Sequence, residues 1–79
     1  MEQKLRRDLN MGDNLRALRT ASKLSQEKLC VELQCRGCDV GRSTYAKYEA
    51  GELNIPISVI VTLRAIYHCT YDDFFAGLE

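Results

Sequence analysis

Four residues in one short stretch have side chains suited to touching nucleic acid. In Arg42-Ser43-Thr44-Tyr45-Ala46-Lys47-Tyr48-Glu49-Ala50-Gly51, a helical period sets Arg42, Ser43, Thr44 and Lys47 on one exposed side. Tyr45 and Tyr48 then point towards a core. Arginine can donate two parallel hydrogen bonds to a guanine edge, and lysine can contact guanine or neutralise a phosphate. The helix N-terminus adds a positive dipole end that favours phosphate. Such a helix can lie in a major groove, with its N-terminal residues reaching the bases. The same four side chains on another helix would be an ordinary solvated face, so the flanking sequence has to decide.

The remaining reactive residues offer less. Cys30, Cys35 and Cys38 are spaced C-x4-C-x2-C, and Cys69 or His68 could supply a fourth zinc ligand. Zinc sites of this kind need four nitrogen or sulfur ligands, and the second C-x2-C pair is missing. The expectation is therefore no metal and no cofactor. A Cys35–Cys38 disulfide could form on oxidation, but an intracellular chain keeps such thiols reduced. His68 reads as a helix-ending residue rather than a base. No Ser/His/Asp set, phosphate-cradling glycine loop or paired catalytic carboxylates is visible, and Asp72-Asp73 suits a helix N-terminus better than acid–base chemistry. The chain does not read as an enzyme.

Local signals place these residues on helices. Met11, Leu15 and Leu18 make a helical stripe, giving a first helix over about Asp13–Ala21. Ser25 is a good N-cap for a second helix from Gln26 to about Gln34, with Leu29 and Leu33 as its apolar set. The third helix spans about Arg42–Glu49 and stops at Gly51. Pro56 suits the first turn of a fourth helix, whose buried face is expected to be Ile57, Ile60, Val61 and Leu63. Ile57–Val61 is β-branched enough to read as a strand, but Leu63-Arg64-Ala65 and the total length favour helix. Thr70 can cap a short last helix, with Asp72 and Asp73 in its first turn and Phe74 or Phe75 returning to the core. Residues 1–10 are a charged leader that could extend the first helix through Leu5 and Leu9. Residues 11–79 are expected to form one domain.

With 79 residues, 46% of them hydrophobic, the chain can bury one compact core and little else. No apolar run is long enough to span a bilayer, and the first ten residues lack the apolar centre of a secretory signal. A cytoplasmic protein without membrane attachment is expected. Net charge is formally zero, but its distribution is uneven. Residues 1–47 carry ten Lys/Arg against six Asp/Glu, whereas residues 48–79 carry Arg64 alone against five carboxylates. The basic part can attract phosphates while the acidic end faces away or meets another subunit.

Three segments in order resemble the helix-turn-helix family of Cro and phage repressors, the xenobiotic-response-element type. They are Leu24-Ser25-Gln26-Glu27-Lys28-Leu29, then Arg42 to Gly51, then Tyr67-His68-Cys69-Thr70-Tyr71-Asp72-Asp73-Phe74-Phe75. The resemblance covers about Met11–Leu78, and Met11 is a candidate alternative start. It implies a compact all-α bundle of five helices, of the lambda-repressor-like DNA-binding type. It further implies that Gln26 contacts a phosphate and braces the third helix, that Arg42, Ser43 and Lys47 read bases, and that Thr44 meets phosphate or a thymine methyl. Arg19 and Glu49 match a structural ion pair joining the first helix to the end of the third. Cys30 and Cys69 fall where the family places small apolar core residues.

The chain departs from the family pattern twice. Six residues, Gln34 to Asp39, separate Leu33 from Val40, so the turn is lengthened or the second helix runs on. Gly41 stands where the family often has a Ser or Thr cap. The resulting expectation is a sequence-specific transcriptional regulator, a repressor binding double-stranded DNA as a homodimer on a near-palindromic operator. Tyr71, Phe74, Phe75 and Leu78 are candidates either for the dimer surface or for the core. The competing expectation is a protein-interaction module, such as an antitoxin or adaptor, with a protein as its partner.

Overall fold

The computed structural model describes residues 11–77. Within them the chain forms five helices: α1 (Gly12–Ala21), α2 (Gln26–Cys35), α3 (Arg42–Ala50), α4 (Ile57–Tyr67) and α5 (Tyr71–Phe74). No strand occurs among the described residues. The expected leader, residues 1–10, and Leu78 lie outside them.

Helix ends show why the chain breaks where it does. Ser25 Oγ accepts the Lys28 N–H at 3.1 Å, which caps α2. Pro56 stands just before α4 as its N-cap rather than inside its first turn. At α5 the Thr70 N–H donates to the Asp73 carboxylate at 2.9 Å, the return arm of a capping box.

The C-termini of α1 to α4 share one closure, in which a left-handed residue lets the next N–H reach back to the carbonyl five positions earlier. These bonds run from Leu24 to Arg19, Cys38 to Leu33, Glu52 to Lys47 and Cys69 to Arg64. The left-handed residues are Lys23, Gly37, Gly51 and His68. Glycine adopts that backbone freely at Gly37 and Gly51, whereas Lys23 and His68 adopt it against a steric penalty.

Leu15, Leu29, Leu33, Tyr45, Leu63 and Phe74 are fully buried, so every helix contributes to a single core. Helix α3 packs on α1 and α2, α2 also packs on α4, and α5 returns to α1. Asn14 fastens that return by donating from Nδ2 to the backbone carbonyls of Phe74 at 2.9 Å and Ala76 at 3.0 Å.

The extra residues lengthen the turn, since α2 ends only two residues beyond Leu33. Helix α2 runs on to Cys35, Arg36-Gly37 reverses the chain, and Val40 re-enters the core just before α3. Gln34 Nε2 donates to Asp39 Oδ1 at 3.2 Å across the turn.

One expectation about burial needs correction, and one open alternative is decided. The buried face of α4 is Val59, Leu63 and Tyr67, with Ile60 half-buried, while Ile57 and Val61 face out. The segment Ile57-Ser58-Val59-Ile60-Val61 is apolar nearly all round, so it carries no periodic signal for which side turns inward. Phe74, weighed for either the core or a dimer surface, belongs wholly to the core, whereas Tyr71 and Phe75 remain exposed.

Candidate nucleic-acid interface

The exposed half of α3 depends on how its other half is held. Tyr45, Tyr48 and Glu49 occupy the inward side of the helix, and Glu49 is the one charged residue buried among those described. Leaving a carboxylate out of water costs several kcal/mol unless it is paired and hydrogen-bonded (of order 3–5 if a partner is lost).

Here the pairing is dense. Arg19 grips Glu49 with two parallel bonds, Nε to Oε2 at 2.6 Å and Nη2 to Oε1 at 3.1 Å. Its remaining Nη1 donates to the Leu24 carbonyl at 2.9 Å, so one guanidinium ties α1, the α1–α2 link and α3 together. Gln26 Nε2 adds a third donor to Glu49 Oε1 at 3.0 Å, and Arg16 Nε stands 3.7 Å from the same oxygen. Burial alone would raise the Glu49 carboxyl. The bonds from Arg19 and Gln26, with the Tyr45 phenol beside them, hold it below its ordinary value.

The same pocket shifts its neighbours. Burial pushes the Tyr45 phenol far up and that of Tyr67 up to about 12, so both stay neutral. Among the described residues neither hydroxyl has a partner in full hydrogen-bond geometry, although Tyr45 stands close enough to Glu49 to favour its charged form.

With the inward side locked, Arg42, Ser43 and Lys47 are exposed on the opposite arc of α3, and Thr44 is half-exposed at its edge. Among the described residues, neither Arg42 nor Lys47 is in a salt bridge. The helix opens on Gly41, which supplies no side-chain cap, and its first turn holds no acidic residue. Its leading N–H groups are therefore free to meet an acceptor from outside. Gln26 begins α2 with its amide turned to Glu49, and so braces the C-terminal end of α3.

The structure thus brings Arg42, Ser43, Thr44 and Lys47 onto one surface. It brings Gln26, Arg19 and Glu49 together in the support behind that surface. Arg16 joins the support, and sequence reasoning missed it. The available signal was its spacing of three from Arg19, which puts both guanidiniums on one side of α1.

The cysteines do not assemble. Cys30 is buried, Cys35 exposed, and Cys38 and Cys69 half-buried. Among the described residues no three or more His, Cys, Asp or Glu side chains converge as metal ligands. Burial pushes the Cys30 and Cys69 thiols up, which keeps them protonated and poor as ligands or nucleophiles.

A helix-capped turn between two packed helices, the second exposing cationic and hydroxyl side chains, defines a helix-turn-helix domain. Residues 10–73 match the family described by that name, the helix-turn-helix domain, and the chain belongs to it. This family is associated with regulators of the Cro and xenobiotic-response-element type, which points to a DNA-binding regulator. No curated protein and no solved structure matches the chain. Among the described residues no helix is long and apolar enough to cross a membrane.

Proposed function

We propose that the protein is a sequence-specific transcriptional repressor of the cytoplasm, binding a near-palindromic operator as a homodimer. Helix α3 enters the major groove, Arg42, Ser43 and Lys47 contact base edges, and Thr44 meets phosphate or a thymine methyl. The observation that carries this reading is the division of α3 itself. Its inward side is fixed by the Glu49 cluster, while Arg42 and Lys47 on its outward side are in no salt bridge among the described residues. A helix held rigidly, with Arg42 in its opening turn and Lys47 further along the same exposed side, is suited to reading bases rather than to supporting the fold. One α3 spans only a few base pairs. Two copies about 34 Å apart would read the two halves of a symmetric site. This is a role in binding, not in catalysis.

The test is selection from a random double-stranded DNA pool near physiological salt, run beside the double variant Arg42→Ala, Lys47→Ala. Enrichment of a two-fold symmetric motif by the wild type, lost in the variant, is expected. Retention without a motif would replace the proposal with phosphate-driven, non-specific binding. No retention, or an unchanged motif in the variant, would overturn it.

A further inference from the structure

The six residues Gln34 to Asp39 that lengthen the turn between α2 and α3 carry two of the chain's four cysteines. Cys35 ends α2 and is exposed, whereas Cys38 is half-buried and packs against the core. Only Arg36 and Gly37 separate them. Gly37, left-handed at φ 85°, folds the chain back so that the Cys38 N–H reaches the Leu33 carbonyl at 2.8 Å. A chain reversed within two residues brings the flanking α-carbons within about 7 Å, and a disulfide spans about 4.4–6.8 Å.

The surroundings leave this turn room to change. Cys38 lines a cleft of about 380 Å³ between the turn and the start of α4, with Val40 beside it and Pro56 and Val59 across. A small oxidant can enter there, and the Cys38 sulfur can swing out of its core contact towards Cys35. A Cβ at Gly37 would meet nothing within 4 Å, so no neighbour wedges the reversal in place. An accessible thiol with a second thiol close by to resolve it is the arrangement of a redox-responsive pair.

We propose that Cys35 and Cys38 are an oxidation site, which a hydroperoxide converts reversibly to a disulfide that reshapes the turn and weakens DNA binding. The exposed Cys35 thiolate attacks the peroxide; its S–O bond forms, the O–O bond breaks, and the departing hydroxide takes up a proton as water. The Cys38 sulfur then attacks that of Cys35. The S–S bond forms, the S–O bond breaks, and the hydroxyl leaves with the Cys38 proton as a second water. Two thiols lose two hydrogens, and one peroxide is reduced to two waters. In the cytoplasm such a bond forms transiently and is reversed by the thiol pool.

The effect on binding follows from how α3 is held. Its C-terminal end is pinned through Glu49, whereas its opening has no side-chain cap and joins the turn through Asp39, Val40 and Gly41. Drawing Cys38 out of the core therefore moves the end that carries Arg42. This consequence, unlike the disulfide itself, rests on the DNA-binding reading.

Treating the reduced full chain with a few equivalents of hydrogen peroxide tests it. Intact mass should fall by two hydrogens, peptide mapping should place the bond between Cys35 and Cys38, and dithiothreitol should reverse it. Affinity for the DNA motif enriched in the selection above should fall about tenfold or more and return on reduction. Cys35→Ser, a change at an exposed position, should form no disulfide and keep its affinity through the same treatment. No loss of hydrogens, a bond to Cys30 or Cys69, or a cross-link between copies would overturn the site. Unchanged affinity in the oxidised chain, or an equal loss in Cys35→Ser, would overturn its link to α3. A reduced chain that retains no DNA would sink the DNA reading and that link together, while the mass change still decides the disulfide.

Discussion

The two ends of α3 are built on opposite plans. At its C-terminal end Tyr48 and Glu49 are buried, Glu49 takes three hydrogen bonds from α1 and α2, and Gly51 closes the helix with φ 78°. At its N-terminal end Gly41 offers no cap, and Arg42 and Ser43 face solvent. One end consumes polar groups internally, and the other leaves them available. In a domain this small, the difference separates the residues that keep the fold from those that use it.

The separation breaks most visibly at Glu49. Glu49→Gln should keep the shape but strand the Arg19 guanidinium, whose side chain is only 15% exposed. The expected loss is about 3 kcal/mol, a fall of roughly 15 °C in melting temperature for a domain of this size. The wild type should also weaken in acid, and the sign follows from the pairing. The Glu49 carboxyl is held below its unfolded value near 4.5, so its stabilisation is complete above that pH and fades as the pH falls through the lower, folded value. Urea titrations from neutral to acid pH would show this slope in the wild type and a shallower one in Glu49→Gln. Equal slopes would mean that the cluster does not carry the acid sensitivity.

At the opposite end the effect should appear in binding rather than stability. Arg42→Ala is expected to cost about 1–3 kcal/mol of operator affinity, equivalent to a loss of about 5- to 150-fold. Its unfolding free energy should move by no more than about 0.5 kcal/mol, because Arg42 is exposed and makes no salt bridge among the described residues. A large loss of stability would erase the distinction between the two ends. The third variant, Gly51→Ala, returns to the buried end. Alanine at φ 78° should destabilise by about 1 kcal/mol while leaving operator preference unchanged, as thermal melts and repeated DNA selection would show.

How much of this was legible in the sequence differs between the same regions. Ser25 and Gly51 announce their helix ends by local chemistry, so the bounds of α2 and α3 could be read to within a residue. The five-helix architecture followed from the same signals and from the family resemblance. The inward side of α4 could not be read, since Ile57, Val59, Ile60 and Val61 are interchangeable by hydropathy and only packing against α2 chooses among them. Nor could the bonds from Asn14 to the Phe74 and Ala76 carbonyls be foreseen, because their partners lie 60 and 62 residues away. For the interface, residue types showed what Arg42 and Lys47 can do. Only the fold shows that neither is in a salt bridge among the described residues.

The finest test of the comparison is to give α3 the cap that α2 already has. Ser25 accepts the N–H three residues on, and a serine at position 41 could do the same for Thr44. A Cβ at Gly41 would meet nothing within 4 Å, and its extended backbone at φ −75° suits serine as well as glycine. Gly41→Ser should therefore stabilise by a few tenths of a kcal/mol, read in replicate urea titrations. If the gain is absent, the opening turn of α3 is already satisfied and its N–H groups are not free for a phosphate. If it appears, the uncapped glycine has left unclaimed a small stabilisation that α2 obtains from Ser25, at an exposed helix end where an acceptor can arrive from outside.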